Sequence, residues 1–401
     1  MRILIVNTFY YPNMQGGAEQ SVKLLAENLI SCGHDVAVYC ADSRDGKKTV
    51  ENINGVIVYR CTTGKFNLYK YSYEKSNVGT LEKITQKLRC YYNSECEKDF
   101  EKICDTFKPE IIHTNTLYGI PCSVWKIANK RGIAVVHTIR DTAILSPVQH
   151  GHKVSPLVVN MHQEYMRRVS KYVDAVTAPS EYTLRTSLDT GAFRESKVKE
   201  CVFNSVAIDY DLLRKMIRER RERKNECIKF MYAGRLVYFK GISQMIDAFS
   251  KIRDMHCELH ICGTGDMVDY VKEQAEKDSR IIYCGKLGSE ELAKKYQECD
   301  VLIFPSVWPE PFGRVFIEGN MYGMPVIAGN CGGIPEIYEV THGGDLCNCD
   351  NIADFANLLQ RYLKRDYINQ FYDNIESSIE TFDIKRQISS FEKIYDKIGN
   401  R

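Results

Sequence analysis

What most constrains the fold is a rhythm: short apolar runs that alternate with helix-length patterns. In the first half the runs are Ile3–Asn7, Val36–Cys40, Ile111–Thr114, Val135–Ile139 and Ala175–Pro179, and a helical apolar pattern fills Ala18–Ile30 after the first of them. In the second half they are Phe230–Ala233, Glu258–Cys262, Ile281–Cys284, Val301–Phe304 and Pro325–Ala328, each followed by a helical stretch. Continuous apolar runs of this length, bounded by turn residues, read as strands buried on both faces, and strands separated by helices pair in parallel. The expectation is an α/β chain with two Rossmann-like, doubly wound parallel sheets. Its 401 residues exceed what one core usually serves, since single cores stop growing at about 250–300 residues. The seam falls near Asn204–Asp209, which gives domains over 1–204 and 205–383.

Two segments depart from the rhythm. The run Arg214, Lys215, Arg218, Arg220, Arg221, Arg223 and Lys224 reads as a solvated helix face leading into the second domain. Residues 62–108 are rich in Tyr and Lys, with Phe66, Tyr69, Tyr71, Tyr73 and a helical pattern from Leu81, and are the place where acceptor specificity or membrane contact would be read.

Composition excludes several classes. Lys and Arg number 54 against 52 Asp and Glu, so no global field draws the chain to nucleic acid and any anion must be held by a local patch. Most of the sixteen cysteines sit singly inside strand or helix patterns, such as Cys262 and Cys299, which reads as a reduced, cytoplasmic protein. Cys347 with Cys349, and Cys201 with Cys227, lack paired metal-site spacing. The apolar run Ile3–Val6 is too short for a signal peptide or a membrane span, while peripheral contact with an inner membrane face is left open.

The chemistry concentrates in Val301–Glu339. A strand runs into a Pro-rich turn, the turn opens a helix at Gly313, and Glu310 and Glu318 bracket that opening. Helix N-termini beyond the carboxyl ends of parallel strands offer N–H groups and a positive dipole end to anions, so Phe312, Gly313 and Arg314 are candidate donors to a phosphate, with Gly313 permitting close approach. After the first strand of the second domain come Arg235, whose planar fork suits a diphosphate, and Lys240. Gly263 and Gly265 end another strand but lack the third glycine of a dinucleotide fingerprint, which disfavours a dehydrogenase.

The spacing Glu310-x7-Glu318 with Pro-Phe-Gly between, the Gly234-Arg235-Leu236-x3-Lys240-Gly241 turn, and Gly16-Gly17-Ala18-Glu19 opening the first helix resemble retaining glycosyltransferases of the group 1 family, also called family 4. The resemblance spans nearly the whole chain. It implies a GT-B fold with the site in the cleft between domains, and a last helix (384–401) that crosses back onto the first domain. It implies a nucleotide diphosphate sugar as donor, UDP ahead of GDP by family frequency, and a glycan, lipid-linked or small-molecule acceptor. Gly16 and Gly17, Gly263 and Gly265, and Lys286 with Leu287 at the base edge would join the donor contacts. Glu318 would take the ribose hydroxyls and Glu310 the sugar, while Arg235, Lys240 and the Gly313 helix stabilise the leaving diphosphate, with no metal or other cofactor.

On the acceptor side, His113, Arg140, Asp141 and Ser180 lie at strand ends of the first domain. Many relatives carry histidine where this chain has Arg140. Arginine stays protonated, so any catalytic part it plays is electrostatic. His137 reads as a packed strand histidine. Two alternatives stay open: a nucleotide-sugar epimerase, which needs acid and base carboxylates and no acceptor, and a catalytically silent sugar-nucleotide-binding paralogue, which sits poorly with Arg235, Lys240 and both glutamates present.

Overall fold

The computed structural model describes residues 1–399 except 15, 63–67, 74–78, 80–84, 86, 147–153 and 225–226. Phe66 and Leu81 of the Tyr- and Lys-rich segment therefore lie outside the described residues, while Tyr69 falls on a short helix, Leu68–Tyr73.

By its internal contacts the chain forms two units, Met1–Ser205 with Ile384–Arg401, and Val206–Asp383. The first carries β1 (Arg2–Val6), β2 (Asp35–Cys40), β3 (Thr49–Ile53), β4 (Val56–Arg60), β5 (Ile111–Thr114), β6 (Ala134–Thr138), β7 (Ala175–Ala178) and β8 (Val198–Cys201), in the order β3-β4-β2-β1-β5-β6-β7-β8. The second carries β9 (Ile228–Ala233), β10 (Cys257–Cys262), β11 (Ile281–Gly285), β12 (Val301–Phe304), β13 (Val326–Gly329) and β14 (Gly344–Cys347), in the order β11-β10-β9-β12-β13-β14. Every pairing in the second sheet is parallel.

The first sheet is not wholly parallel. Its edge strand β3 pairs antiparallel with β4. The cause is the two-residue turn Asn54-Gly55, both with positive φ (53° and 88°), a geometry that suits the twist of a tight hairpin and that Asn-Gly adopts at low cost. That dipeptide was the available signal. Strand β14, with glycine and aspartate in Gly344-Asp345-Leu346-Cys347, carries no apolar run to announce it.

The last helix, Ile384–Gly399, buries Ile384, Ile388, Phe391, Ile394, Tyr395 and Ile398 in one core cluster with Ile3 and Ile5 of β1. Their spacing of three and four residues is a single helical stripe. It is this stripe that assigns the carboxyl-terminal segment to the first unit.

The cationic run is not a solvated face throughout. On helix Tyr210–Glu222 the residues Leu213, Met216, Ile217 and Arg220 share the inward stripe, so Arg220 is fully buried. Its guanidinium donates to the carbonyls of Tyr296 (2.6 Å) and Cys299, and Arg223 donates to those of Gln297 (2.6 Å) and Glu298 (3.1 Å). The two arginines thereby supply donors to the carbonyls left open at the carboxyl end of helix Ser289–Glu298, where positive charge is also favoured by the dipole. Asp300, completely buried, balances the charge through Arg223 (2.9 Å) and Arg365 (2.7 Å). A lone buried cation would be costly; one paired and hydrogen-bonded is tolerated.

Candidate active site

In the second sheet the strand order reverses between β10 and β12 around β9, the topological switch point where open α/β sheets take their ligands. The turns after β9 and β12 meet there. Glycines let them do so, because their missing Cβ atoms are replaced by neighbouring backbone. A Cβ on Gly241 (φ 72°) would stand 1.9 Å from the Pro305 carbonyl oxygen, and one on Gly332 (φ 62°) 2.3 Å from that of Glu310. On the other side, a Cβ on Gly263 would reach within 1.9 Å of the Gly234 oxygen and one on Gly265 within 2.3 Å of the Leu236 oxygen. The amides complete the lattice: Gly234 donates to Cys262, Leu236 to Thr264 (2.9 Å), Gly263 to Gly285 (2.7 Å) and Gly333 to Glu310 (2.8 Å). The Arg235 turn is thus clamped backbone to backbone.

Onto this lattice the charged groups are set. Lys240 ends the one-turn 3-10 helix Tyr238–Lys240 and forms an ion pair with Glu310, whose Oε1 also accepts from Ser306 Oγ at 2.7 Å. Both partners are mostly buried. Arg235 is exposed, with its guanidinium 6.0 Å above the Phe239 ring, and Phe239 in turn lies 6.1 Å from Trp308. Among the described residues Arg235 makes no ion pair, so its charge is uncommitted while that of Lys240 is shared. Helix Arg314–Met321 begins beside them, with Gly313 at its cap (φ 112°). A Cβ on Gly313 would point at Ile334 (3.1 Å) and Phe304 (3.2 Å), both apolar; glycine is therefore required by the left-handed backbone and the packing behind it, and not by the approach of a phosphate. Phe312 is buried against Phe382.

Glu318 stands one turn into this helix, paired with Arg314 Nε at 2.8 Å and partly open to solvent. Gly319 behind it presses on Leu302 and Val326, where a Cβ would come within 2.7 Å and 2.9 Å. Burial and then the charge of Glu318 push the Tyr296 phenol well above its usual range. The turn after β11 presents Lys286 exposed and Leu287 half-buried, next to the Gly263 turn, whose carbonyl accepts from the Tyr283 hydroxyl at 3.1 Å. The structure thus gathers Arg235, Lys240, Glu310 and the Gly313 helix at the switch point, with Gly263 and Gly265 holding the Arg235 turn from behind.

In the first unit the Gly16-Gly17 turn opens helix Gly17–Ser31. The Gly16 amide is occupied by Glu19 Oε2 (2.9 Å), which accepts it as part of the helix cap, so Gly16 has no N–H left for a phosphate. Among the described residues a Cβ there would meet nothing nearer than 4.0 Å. Side chains absent from the sequence reading hold the loop in front of it. Buried Asp42 pairs with Arg60 (2.8 Å) and accepts from the Tyr10 amide and from Asn13, while Arg60 donates to the Tyr11 carbonyl at 2.5 Å.

Two acceptor-side expectations are overturned. His113 is fully buried, with Nδ1 at 2.7 Å from the Tyr395 hydroxyl and Nε2 at 2.6 Å from Thr138 Oγ1, so neither ring nitrogen is left for an acceptor. Burial, with Arg140 adding repulsion, keeps it neutral by pushing its pKa well below the usual histidine range. Ser180 is likewise buried, and its Oγ accepts the Thr183 amide (3.1 Å) as the cap of helix Glu181–Leu188. His137 is packed, stacked on Phe193, with its pKa pushed down to about 3 by burial. Arg140 and Asp141 are half-buried. Arg140 is aimed by Asn115 (Nε to Oδ1, 2.7 Å) and Asn204 (2.6 Å), and Asp141 closes an Asx turn onto the Ala143 amide at 2.8 Å.

Among the described residues no cluster of three His, Cys, Asp or Glu side chains is placed to hold a metal, and no helix is long and apolar enough to cross a membrane. All sixteen cysteines are free thiols; Cys347 and Cys349 sit 3.4 Å apart, sulfur to sulfur.

Comparison with known proteins agrees with the fold and with the motifs. Residues 214–378 match the glycosyl transferases group 1 family and residues 16–199 the glycosyl transferase 4-like domain. An uncharacterized 42.6 kDa protein in the cps region of Klebsiella pneumoniae is 32% identical over 388 residues, covering 93% of this chain and 98% of that one. Among solved structures, sucrose-phosphate synthase from Thermosynechococcus elongatus superposes with a TM-score of 0.75 at 18% identity, covering 99% of this chain and 98% of the other. Anabaena HepE, solved in complex with UDP and glucose, superposes with a TM-score of 0.71 at 19% identity, covering 99% and 100%. The chain belongs to the group 1 glycosyltransferases and has the GT-B fold.

Proposed function

We propose that this glycosyltransferase moves a hexosyl or related group from a nucleotide diphosphate sugar, a UDP-sugar ahead of a GDP-sugar, to a hydroxyl of a glycan, lipid-linked or small-molecule acceptor, with retention at the anomeric carbon. The observation that carries this reading is the meeting of Arg235, Lys240 and the Gly313 helix at the switch point, three sources of positive potential suited to one diphosphate. UDP is favoured because HepE binds it on the same fold.

In this reading Arg235 receives the diphosphate first, being uncommitted, and Lys240 turns from Glu310 toward the leaving phosphate as charge builds there. Glu310, released, faces the sugar hydroxyls, and Glu318 takes the ribose. The departing phosphate accepts the acceptor proton as the hydroxyl attacks from the same face, so no carboxylate nucleophile and no metal is needed. Arg140, held by Asn115 and Asn204, contributes a fixed positive charge, with Asp141 beside it on the acceptor side.

The test is a panel of UDP-, GDP- and ADP-sugars with and without acceptor extracts, read by release of the nucleoside diphosphate. Acceptor-dependent release that survives EDTA is expected. Conversion of the donor to its epimer without release would favour the epimerase instead, and release abolished by EDTA and restored by Mg2+ would refute cationic-turn stabilisation of the leaving group.

A further inference from the structure

Away from the diphosphate turn, a line of titratable side chains crosses the outer edge of the second sheet. Glu258, His260 and Cys262 alternate along β10 and so share one face; the pairing with the edge strand β11 slips after Ile261, setting Cys262 opposite Gly285, and Cys284 in that irregularity turns its sulfur toward His260. Glu258 Oε2 lies 2.9 Å from His260 Nε2, and His260 Nδ1 lies 3.9 Å from Cys284 Sγ. Cys262 stands opposite Gly285, next to Cys284 along the edge strand, and the Cys284 thiol donates to the Ile282 carbonyl at 3.7 Å. Helix Ser289–Glu298 brings Lys295, paired with Glu298 at 2.7 Å, and Tyr296, with Cys299 following it; Lys229 of β9 approaches Glu258 at 3.7 Å. His260 is buried, whereas Cys284 is partly exposed.

The sequence of carboxylate, imidazole and thiol is the one that generates a thiolate. With Glu258 accepting the Nε2 proton, the Nδ1 lone pair faces Cys284 and can take its proton, and Glu258 then steadies the imidazolium. Once the proton has left, the neighbouring Cys262 S–H can donate to the sulfur left behind, and Lys295 adds positive charge. These neighbours, Cys262 first, hold the Cys284 thiol well below the usual thiol range, and the same interaction with burial pushes Cys262 up.

We propose that Cys284 is a reactive thiol that takes electrophiles and hydroperoxides, with Cys262 as its resolving partner. With a hydroperoxide, the Cys284 thiolate attacks one peroxide oxygen; an S–O bond forms, the O–O bond breaks, and the leaving oxygen takes a proton as water or alcohol. Cys262 then attacks the sulfenic sulfur, the S–S bond forms, and hydroxide departs with the Cys262 proton as water. Two thiols lose two electrons and the peroxide gains them. The disulfide ties the ends of β10 and β11 just before the Gly263–Gly265 and Gly285–Leu287 turns. None of this rests on the donor assignment.

The experiment is competitive alkylation of the reduced, full-length protein with limiting iodoacetamide at pH 6, read by peptide mass spectrometry, with exposed Cys32 as the internal reference. A thiol largely ionised at that pH gains over a hundredfold in thiolate relative to an ordinary one and gives part back in nucleophilicity, so Cys284 should react about tenfold faster than Cys32 despite its lesser exposure. Cys262→Ala should bring Cys284 down toward the Cys32 rate. Cys262→Ser, which keeps an O–H donor, should retain most of the advantage, and this pair separates loss of the hydrogen bond from loss of fold. One equivalent of hydrogen peroxide should yield a Cys262–Cys284 linked peptide in the unmodified protein. The proposal is overturned if Cys284 reacts no faster than Cys32, if the two Cys262 variants behave alike, or if peroxide leaves sulfinic acid on Cys284 without the link.

Discussion

The turns at the carboxyl ends of the two sheets are built on opposite principles. In the second unit, backbone packs on backbone: glycines at 241, 263, 265 and 332 stand where any Cβ would meet a carbonyl oxygen within 2.3 Å. In the first unit, side chains do the holding. Asp42 with Arg60 fixes the loop before the first helix, and Asn115 with Asn204 fixes Arg140, while among the described residues nothing crowds Gly16. Backbone clamping keeps one geometry whatever the side chains, which suits a group common to all donors. A side-chain frame can be rebuilt by substitution, which suits a partner that varies.

The largest expected effect strikes the clamped side. Arg235→Ala and Lys240→Ala should each lower kcat/KM by about a hundredfold or more, on the order of 3 kcal/mol, because each removes charge stabilisation that grows as the diphosphate leaves. Steady-state kinetics with the active donor measures this, and a loss under threefold in both would end the assignment.

On the other side, Arg140→His installs the histidine that the family resemblance implies at this strand end. It should leave UDP affinity unchanged while transfer falls severalfold or shifts among acceptors. Transfer rates identical to the parent across an acceptor panel would show that the Arg140 frame lies away from the reacting atoms.

The smallest effect compares glycines. Gly263→Ala forces a Cβ against the Gly234 carbonyl at a φ of 150°, so its melting temperature should fall by about 5 °C or more. Gly16→Ala crowds no neighbour among the described residues and should melt within about 1 °C of the parent, whatever it does to activity. Equal melting losses in the two would erase the contrast between the units.

That contrast also explains what the sequence could disclose. Clamped turns leave fixed glycines and spacings in the chain, so the switch-point motifs were visible in Gly234–Gly241 and Glu310–Glu318. The reason assigned to Gly313 was nonetheless wrong, since a spacing does not say which way a missing Cβ would point. Side-chain frames leave no such trace. His113 meets Tyr395 at a separation of 282 residues, and nothing near either announces the other. Strand-end position suggested exposure for His113 and Ser180, but a long helix over the sheet and a helix cap consumed them. Two misreadings had signals in plain sight: Asn54-Gly55 marked the hairpin, and the Leu213, Met216, Ile217, Arg220 stripe marked an arginine bound inward.

The two glutamates decide the central claim, that the second unit grips the nucleoside through Glu318 and reserves Glu310 for the sugar. Calorimetry of UDP binding should show Glu318→Gln weakening affinity about tenfold, the loss of one charge-assisted hydrogen bond to a ribose hydroxyl. Glu310→Gln should bind UDP as tightly as the parent or more tightly, because Lys240 is freed from its ion pair, while kcat falls. Equal affinity loss in both variants, or loss in Glu310→Gln alone, would contradict the account.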